Sequence, residues 1–147
     1  IDLIEGVNHQ SFALTLVERK SQFALIVRSD DKQASTIQTK IINALAPYKE
    51  LVHTITSDNG KEFAGHEFVA QKLAADYYFA DPYSSWQRGL NEYTNKLYRQ
   101  YLPKKSNLND YDIKYFVNIT NKLNTRPRKL LGFKNPLQVF LANFKPD

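Results

Sequence analysis

The chain has 147 residues, 42% of them hydrophobic, a length and composition that fit one domain with a substantial core. It has no cysteine and three scattered histidines, which excludes disulfides and thiolate metal sites and argues against a histidine zinc centre, so any metal must be held mainly by oxygen. The net charge of +5 is uneven: residues 1–85 hold 8 Lys/Arg against 11 Asp/Glu, residues 86–134 hold 11 against 3, and residues 135–147 hold one of each, giving −3, +8 and 0.

A basic half-chain after an acidic one suggests a polyanion lying across the later segment, because Lys and Arg contacts to phosphate supply most sequence-independent affinity for DNA. The competing reading is a solvated basic face. No apolar run approaches the length needed to span a membrane. No signal-peptide pattern opens the chain, and the abrupt start at Ile1-Asp2 inside a strand-like run reads as a piece of a longer protein.

Residues 1–6 alternate as a short strand that places Asp2 and Ile4 on one face, followed by a loop over 7–10. Segments 11–17 and 22–28 are dense in strand formers and should pair as an antiparallel hairpin across Glu18-Arg19-Lys20-Ser21. From Lys32 to Leu45, Ala34, Ile37, Ile41, Ala44 and Leu45 follow a helical period that Pro47 ends. A fourth strand over 52–58 leads into Asn59-Gly60, a strong turn signal. Phe63, His66, Ala70 and Leu73 mark a second helix, and residues 76–80 a short strand closed by Asp81-Pro82. Apolar positions Leu90, Thr94, Leu97, Tyr98 and Tyr101 give a one-sided helix over 89–101. Tyr111, Tyr115, Ile119 and Leu123 give another over 111–124, and Pro136 opens a last short helix after a basic connection at 126–134. The order β-β-β-α-β-α-β-α-α implies a mixed sheet covered by helices.

Two carboxylates stand out. Asp58 ends the fourth strand, held at its tip by the turn that follows. Glu92 shares the polar face of the 89–101 helix with Asn95, Lys96 and Arg99, so one face presents an acid, an amide and two cations, which suits a metal site with a phosphate backbone beside it. Taken singly, each acid has a plainer reading, a turn residue for Asp58 and a solvated helix acid for Glu92.

Together these residues resemble the catalytic core of DDE transposases and retroviral integrases, with 33 residues between Asp58 and Glu92 (92 − 58 − 1). The run Asp58-Asn59-Gly60-Lys61-Glu62-Phe63-Ala64 followed by His66, the run Asp81-Pro82-Tyr83-Ser84-Ser85-Trp86, and Asn124-Thr125-Arg126-Pro127-Arg128-Lys129 are similar to bacterial insertion-sequence transposases of the IS-thirty family. The likeness covers nearly the whole chain.

The resemblance implies an α/β ribonuclease-H-like fold: a mixed five-stranded sheet with an antiparallel three-stranded meander and flanking helices, forming one catalytic core over residues 1–147. It adds Asp2, otherwise a strand-edge charge, as the third carboxylate of a site that binds Mg²⁺ or Mn²⁺, two ions when DNA is bound. The implied activity is metal-dependent cleavage at transposon ends and 3′-OH strand transfer into target DNA, by a homo-oligomer assembled on DNA in the bacterial cytoplasm at the nucleoid, with a DNA-recognition region preceding the core. Lys61, Asn95, Lys96, Arg99, Arg126, Arg128 and Lys129 are the expected DNA contacts, against the alternative of solvated surface. His66 is expected as a hydrogen-bonded core residue rather than a ligand, and Trp86, Tyr77, Tyr78 and Phe79 as core aromatics rather than a base-stacking platform. Two rival functions stay open: a ribonuclease-H-like nuclease without strand transfer, and a non-catalytic DNA-binding or multimerisation domain.

Overall fold

The computed structural model describes residues 1–81 and 89–143. Trp86 and most of the run that precedes it therefore lie outside the described residues.

The central strand shows how the layers form. β2 (Phe12–Val17) pairs antiparallel on one side with β1 (Asp2–Glu5) and on the other with β3 (Ala24–Ser29), with Asp2 opposite Thr15 and Phe12 opposite Ser29. Five consecutive residues of β2, Phe12 to Leu16, are buried, the continuous pattern of a strand covered on both faces. Ala13 faces one helical layer, with Leu97, Tyr98, Leu102, Phe116, Ile119 and Leu123. Leu14 and Leu16 face the other, with Ile37, Ile41, Phe63, Val69 and Leu73. The strand's period of two thus divides the core between two helical layers.

The hairpin between β2 and β3 is closed by Glu18, whose carboxylate accepts from the backbone N of Lys20 at 3.0 Å and of Ser21 at 2.6 Å. α1 (Ala34–Leu45) buries Ile37 and Ile41, two residues later in its start than the periodicity suggests. β4 (Thr54–Ser57) and β5 (Asp76–Phe79) form a parallel pair around α2 (His66–Leu73). α3 (Gly89–Arg99) and α4 (Ile113–Asn124) cover the opposite face, and α5 (Pro136–Asn143) closes the described chain. The α4 N-terminus is capped by Asp112, which accepts from Tyr115 N at 2.8 Å.

The single five-stranded sheet of the expectation is not what the hydrogen bonds draw. They give a three-stranded ladder, β1-β2-β3, and a separate two-stranded ladder, β4-β5. The two meet where Ile1 N donates to Thr56 O at 2.7 Å. Beside that contact a cleft of about 270 Å³, lined by Ile1, Leu16, Val17, Thr54 and Ile55 among others, separates the later part of β2 from the start of β4. A paired strand needs a row of bonds, and among the described residues no ladder joins β1 to β4.

The strand aromatics also depart from expectation. Tyr77 is half-buried, but Tyr78 and Phe79 are 54% and 38% exposed, because β5 is an edge strand with no neighbour beyond it among the described residues. His66 packs against the rings of Tyr77 and Phe79, with centroids 5.6 and 4.8 Å away. Its buried Nδ1 has no hydrogen-bond partner among the described residues.

Candidate active site

Asp2 begins β1, and its carboxylate is held from two directions. Oδ1 accepts from Leu3 N and Oδ2 from Asn95 Nδ2, both at 2.9 Å. Asn95 is itself oriented, because its Oδ1 accepts from Thr15 Oγ1 at 2.9 Å. Thr15 is only 3% exposed and lies directly opposite Asp2 across the β1–β2 pair. The result is a relay, Thr15 to Asn95 to Asp2, that ties two strands to α3.

Why α3 reaches the sheet follows from its faces. Thr94, Leu97 and Tyr98 are buried, as the sequence period requires, while Glu92 and Lys96 are exposed. Asn95 and Arg99 occupy the boundary and turn back toward the sheet. Arg99 donates to Glu5 O at 2.8 Å and to Leu102 O at 3.3 Å, and its burial pulls its pKa down from the ordinary arginine value. A guanidinium stays charged through such a shift, so Arg99 clamps the end of β1 to the end of α3.

Asp58 follows β4 directly. Its Oδ1 accepts from Gly60 N at 3.0 Å, an Asx turn that fixes the side chain at the strand tip. Behind it the fully buried Ser57 hydroxyl donates to Asp58 O at 2.8 Å and accepts from Tyr77 OH at 2.8 Å. Burial, with the nearby negative charges of Asp58 and Glu62, pushes the Tyr77 phenol up to about 12 against the opposing Ser57 hydrogen bond. Glu62 is part of this neighbourhood: a Cβ added to Gly60 would lie 2.6 Å from its carboxylate. Its carboxylate turns toward the Asp58 turn, and α2 has no side-chain cap.

The structure brings some expected site residues together and leaves others apart. Asp2 is on β1 and Asp58 follows the end of β4, and the two strands meet where Ile1 N donates to Thr56 O. Glu92 sits one helical turn before Asn95, which touches Asp2. Among the described residues no three Asp, Glu or His side chains cluster closely enough to hold a metal ion. The donor chemistry of Asp2, Asp58 and Glu92, three carboxylates with no nitrogen or sulfur, is nevertheless that of a hard-cation site.

The expected cations divide in the same way. Lys61, Lys96 and Lys129 are exposed. Arg126 donates to Tyr101 OH at 2.7 Å and to Gln100 Oε1 at 3.5 Å, which sets it beside the end of α3. Arg128 is only 8% exposed and donates to Leu123 O at 3.0 Å, so it closes the end of α4. Burial lowers its pKa as well.

Thr15 and Ser57 were not singled out by the sequence, and Tyr77 was marked only as a core aromatic. Thr15 had one signal: a lone hydroxyl in the apolar run Phe12-Ala13-Leu14-Thr15-Leu16-Val17, where a buried polar group needs a partner. Ser57 gave none, and nothing local marks the Tyr77 hydroxyl as its partner.

No protein-family model matches the chain. It is 46% identical over 140 residues to the transposase for insertion sequence element IS4351 of Bacteroides fragilis, covering 95% of this chain and 43% of that protein. It is 40% identical over 139 residues to transposase InsI for insertion sequence element IS30A of Escherichia coli strain K12, covering 94% and 36%. The chain thus spans less than half the length of these curated relatives. Among solved structures it is similar to the catalytic core domain of BIV integrase, with a TM-score of 0.71 at 18% identity over 97% of this chain and 93% of that one. A second likeness is to a chain of the simian T-cell lymphotropic virus intasome, with a TM-score of 0.72 at 17% identity over 99% of this chain and 56% of that one.

Proposed function

We infer, for a chain homologous to one segment of the IS30-type insertion-sequence transposases and folded like a ribonuclease-H-like retroviral integrase core, that residues 1–147 form the catalytic core of a DNA transposase. Asp2, Asp58 and Glu92 are its catalytic carboxylates and would hold Mg²⁺ or Mn²⁺, as one or two ions, with phosphate oxygens of bound DNA. When bound, such ions activate a water or 3′-hydroxyl for in-line attack and neutralise charge on the phosphate and leaving oxygen.

The observation that supports this reading best is the relay from Thr15 through Asn95 to Asp2. It pins the helix carrying Glu92 against the strand carrying Asp2, near the strand that Asp58 follows. Asn95 orients one carboxylate, and the Asx turn at Gly60 orients another. Lys61, Lys96, Arg126 and Lys129 contact DNA phosphates, while Arg99 and Arg128 hold the elements that carry those contacts. The same reading gives cleavage at the transposon end, joining of the freed 3′-hydroxyl to target DNA, two or more protomers on the DNA, and action at the bacterial nucleoid. In it the two ladders behave as one five-stranded sheet.

The test is cleavage and joining of a labelled transposon-end duplex with Mg²⁺ or Mn²⁺ by the parent protein and by Glu92→Gln. The variant keeps side-chain size and loses the anionic ligand. It is expected to bind DNA and retain its fold while both reactions fall at least about a hundredfold, roughly 2.7 kcal/mol in barrier. Equal activity in parent and variant overturns the assignment of Glu92, and cutting without joining in the parent makes the protein a nuclease.

A further inference from the structure

We propose that the turn at residues 128–134 is an apolar wedge for DNA, with Leu130 and Phe133 entering between stacked bases and Lys129 and Lys134 on the flanking phosphates. The proposal rests on the reading of the chain as a DNA-acting core and adds a contact of a different kind from the phosphate contacts above.

The turn is closed and anchored. Arg128 N donates to Lys134 O at 3.0 Å, while Leu131 N and Phe133 N donate back to Arg128 O at 3.0 and 2.8 Å. The Arg128 side chain is buried beneath it, on Leu123 O. Gly132 and Phe133 both adopt left-handed backbone, with φ of 64° and 65°. Glycine does so freely, but a bulky aromatic there is strained and stays only where its surroundings hold it.

That strained, closed turn presents its apolar residues to solvent. Leu130 is 87% exposed and Phe133 70%, and Lys129 and Lys134 beside them are exposed too. Two bare apolar side chains within one closed turn, flanked by two exposed lysines, suit an interaction site rather than core. Its partner must be apolar at the centre and anionic at the rim. A DNA base step between two phosphates has that pattern, and Leu and Phe are among the side chains that unstack such steps. The charge of the surrounding segment, 11 Lys/Arg against 3 Asp/Glu over residues 86–134, favours a polyanion over an apolar protein surface.

The experiment titrates the protein as it is encoded, and its Leu130→Ser/Phe133→Asn double variant, with a duplex of the element's terminal sequence carrying 2-aminopurine at successive positions. Asn suits left-handed backbone better than Phe, so the double variant keeps the turn, which circular dichroism checks. Parent binding is expected to raise 2-aminopurine fluorescence at one step. The double variant loses that rise and binds about tenfold more weakly, with the salt dependence of binding unchanged. Lys129→Ala does the reverse, keeping the rise while the salt slope falls by about one. Phe133→Tyr, which keeps a stacking ring, retains the rise.

A double variant that matches the parent in fluorescence and affinity overturns the proposal. So does one that binds DNA normally but loses self-association, which makes the turn a contact between protein copies. If the parent itself binds no DNA, the DNA-acting reading falls and the wedge with it.

Discussion

Asn95 joins three elements through one amide, since its two ends serve Thr15 and Asp2 separately. Asn95→Leu keeps the size and removes both bonds, leaving a buried hydroxyl and a carboxylate oxygen without that partner. The expected loss is about 2 kcal/mol in urea unfolding and, on the proposed function, a larger fall in strand transfer than in DNA binding. A loss confined to DNA affinity would instead make Asn95 a surface contact. Tyr77 gives a second residue-scale expectation. Its folded pKa lies near 12, above the ordinary phenol value of 10.0. Between those values the unfolded chain releases the phenolic proton while the folded chain keeps it, so stability is full below pH 10 and falls as pH rises toward 12. Tyr77→Phe removes that component, and its unfolding midpoint should decline less steeply than the parent's over this interval.

At the scale of elements, the sequence period placed α3 and α4 well because each has one buried stripe. The boundary positions were less legible. Asn95 and Arg99 lie on the flank of the polar face, where periodicity cannot say whether a long or forked side chain turns to solvent or to the sheet. Arg128 was read as a surface cation for the same reason; a guanidinium beside a proline carries no sequence mark of burial. Caps are more local and can be tested locally. Asp112→Ala removes the side-chain acceptor for Tyr115 N at the start of α4 and should lower stability by about 1 kcal/mol in urea unfolding, leaving the proposed DNA cleavage and joining intact.

Over the whole molecule, β2 joins the two helical layers. Leu14 is fully buried in the layer of α1 and α2, whereas its neighbour Ala13 faces α3 and α4. Leu14→Ala should therefore cost about 3 kcal/mol and shift near- and far-ultraviolet circular dichroism together, because a defect in the shared strand weakens both layers. Separate transitions would mean that the layers unfold independently. The charge pattern also belongs at this scale: the acidic first half supplies Asp2 and Asp58, and the basic later segment supplies the exposed Lys96, Lys129 and Lys134.

The sequence by itself determined which segments become strands and helices, that any metal must be held mainly by oxygen, and that Asp58 sits in a turn. Hydrophobic period and turn chemistry act between residues a few positions apart, so a linear reading captures them. Tertiary structure decided how the acids are held. The contacts from Asn95 to Thr15 and Asp2, and from Arg99 to Glu5, join residues 80, 93 and 94 positions apart. Tertiary structure also decided that the sheet is drawn as two ladders and that Arg128 lies inside while Leu130 and Phe133 lie outside. Each of those outcomes depends on which surfaces meet after collapse, and no pattern within one segment encodes its neighbour across the core.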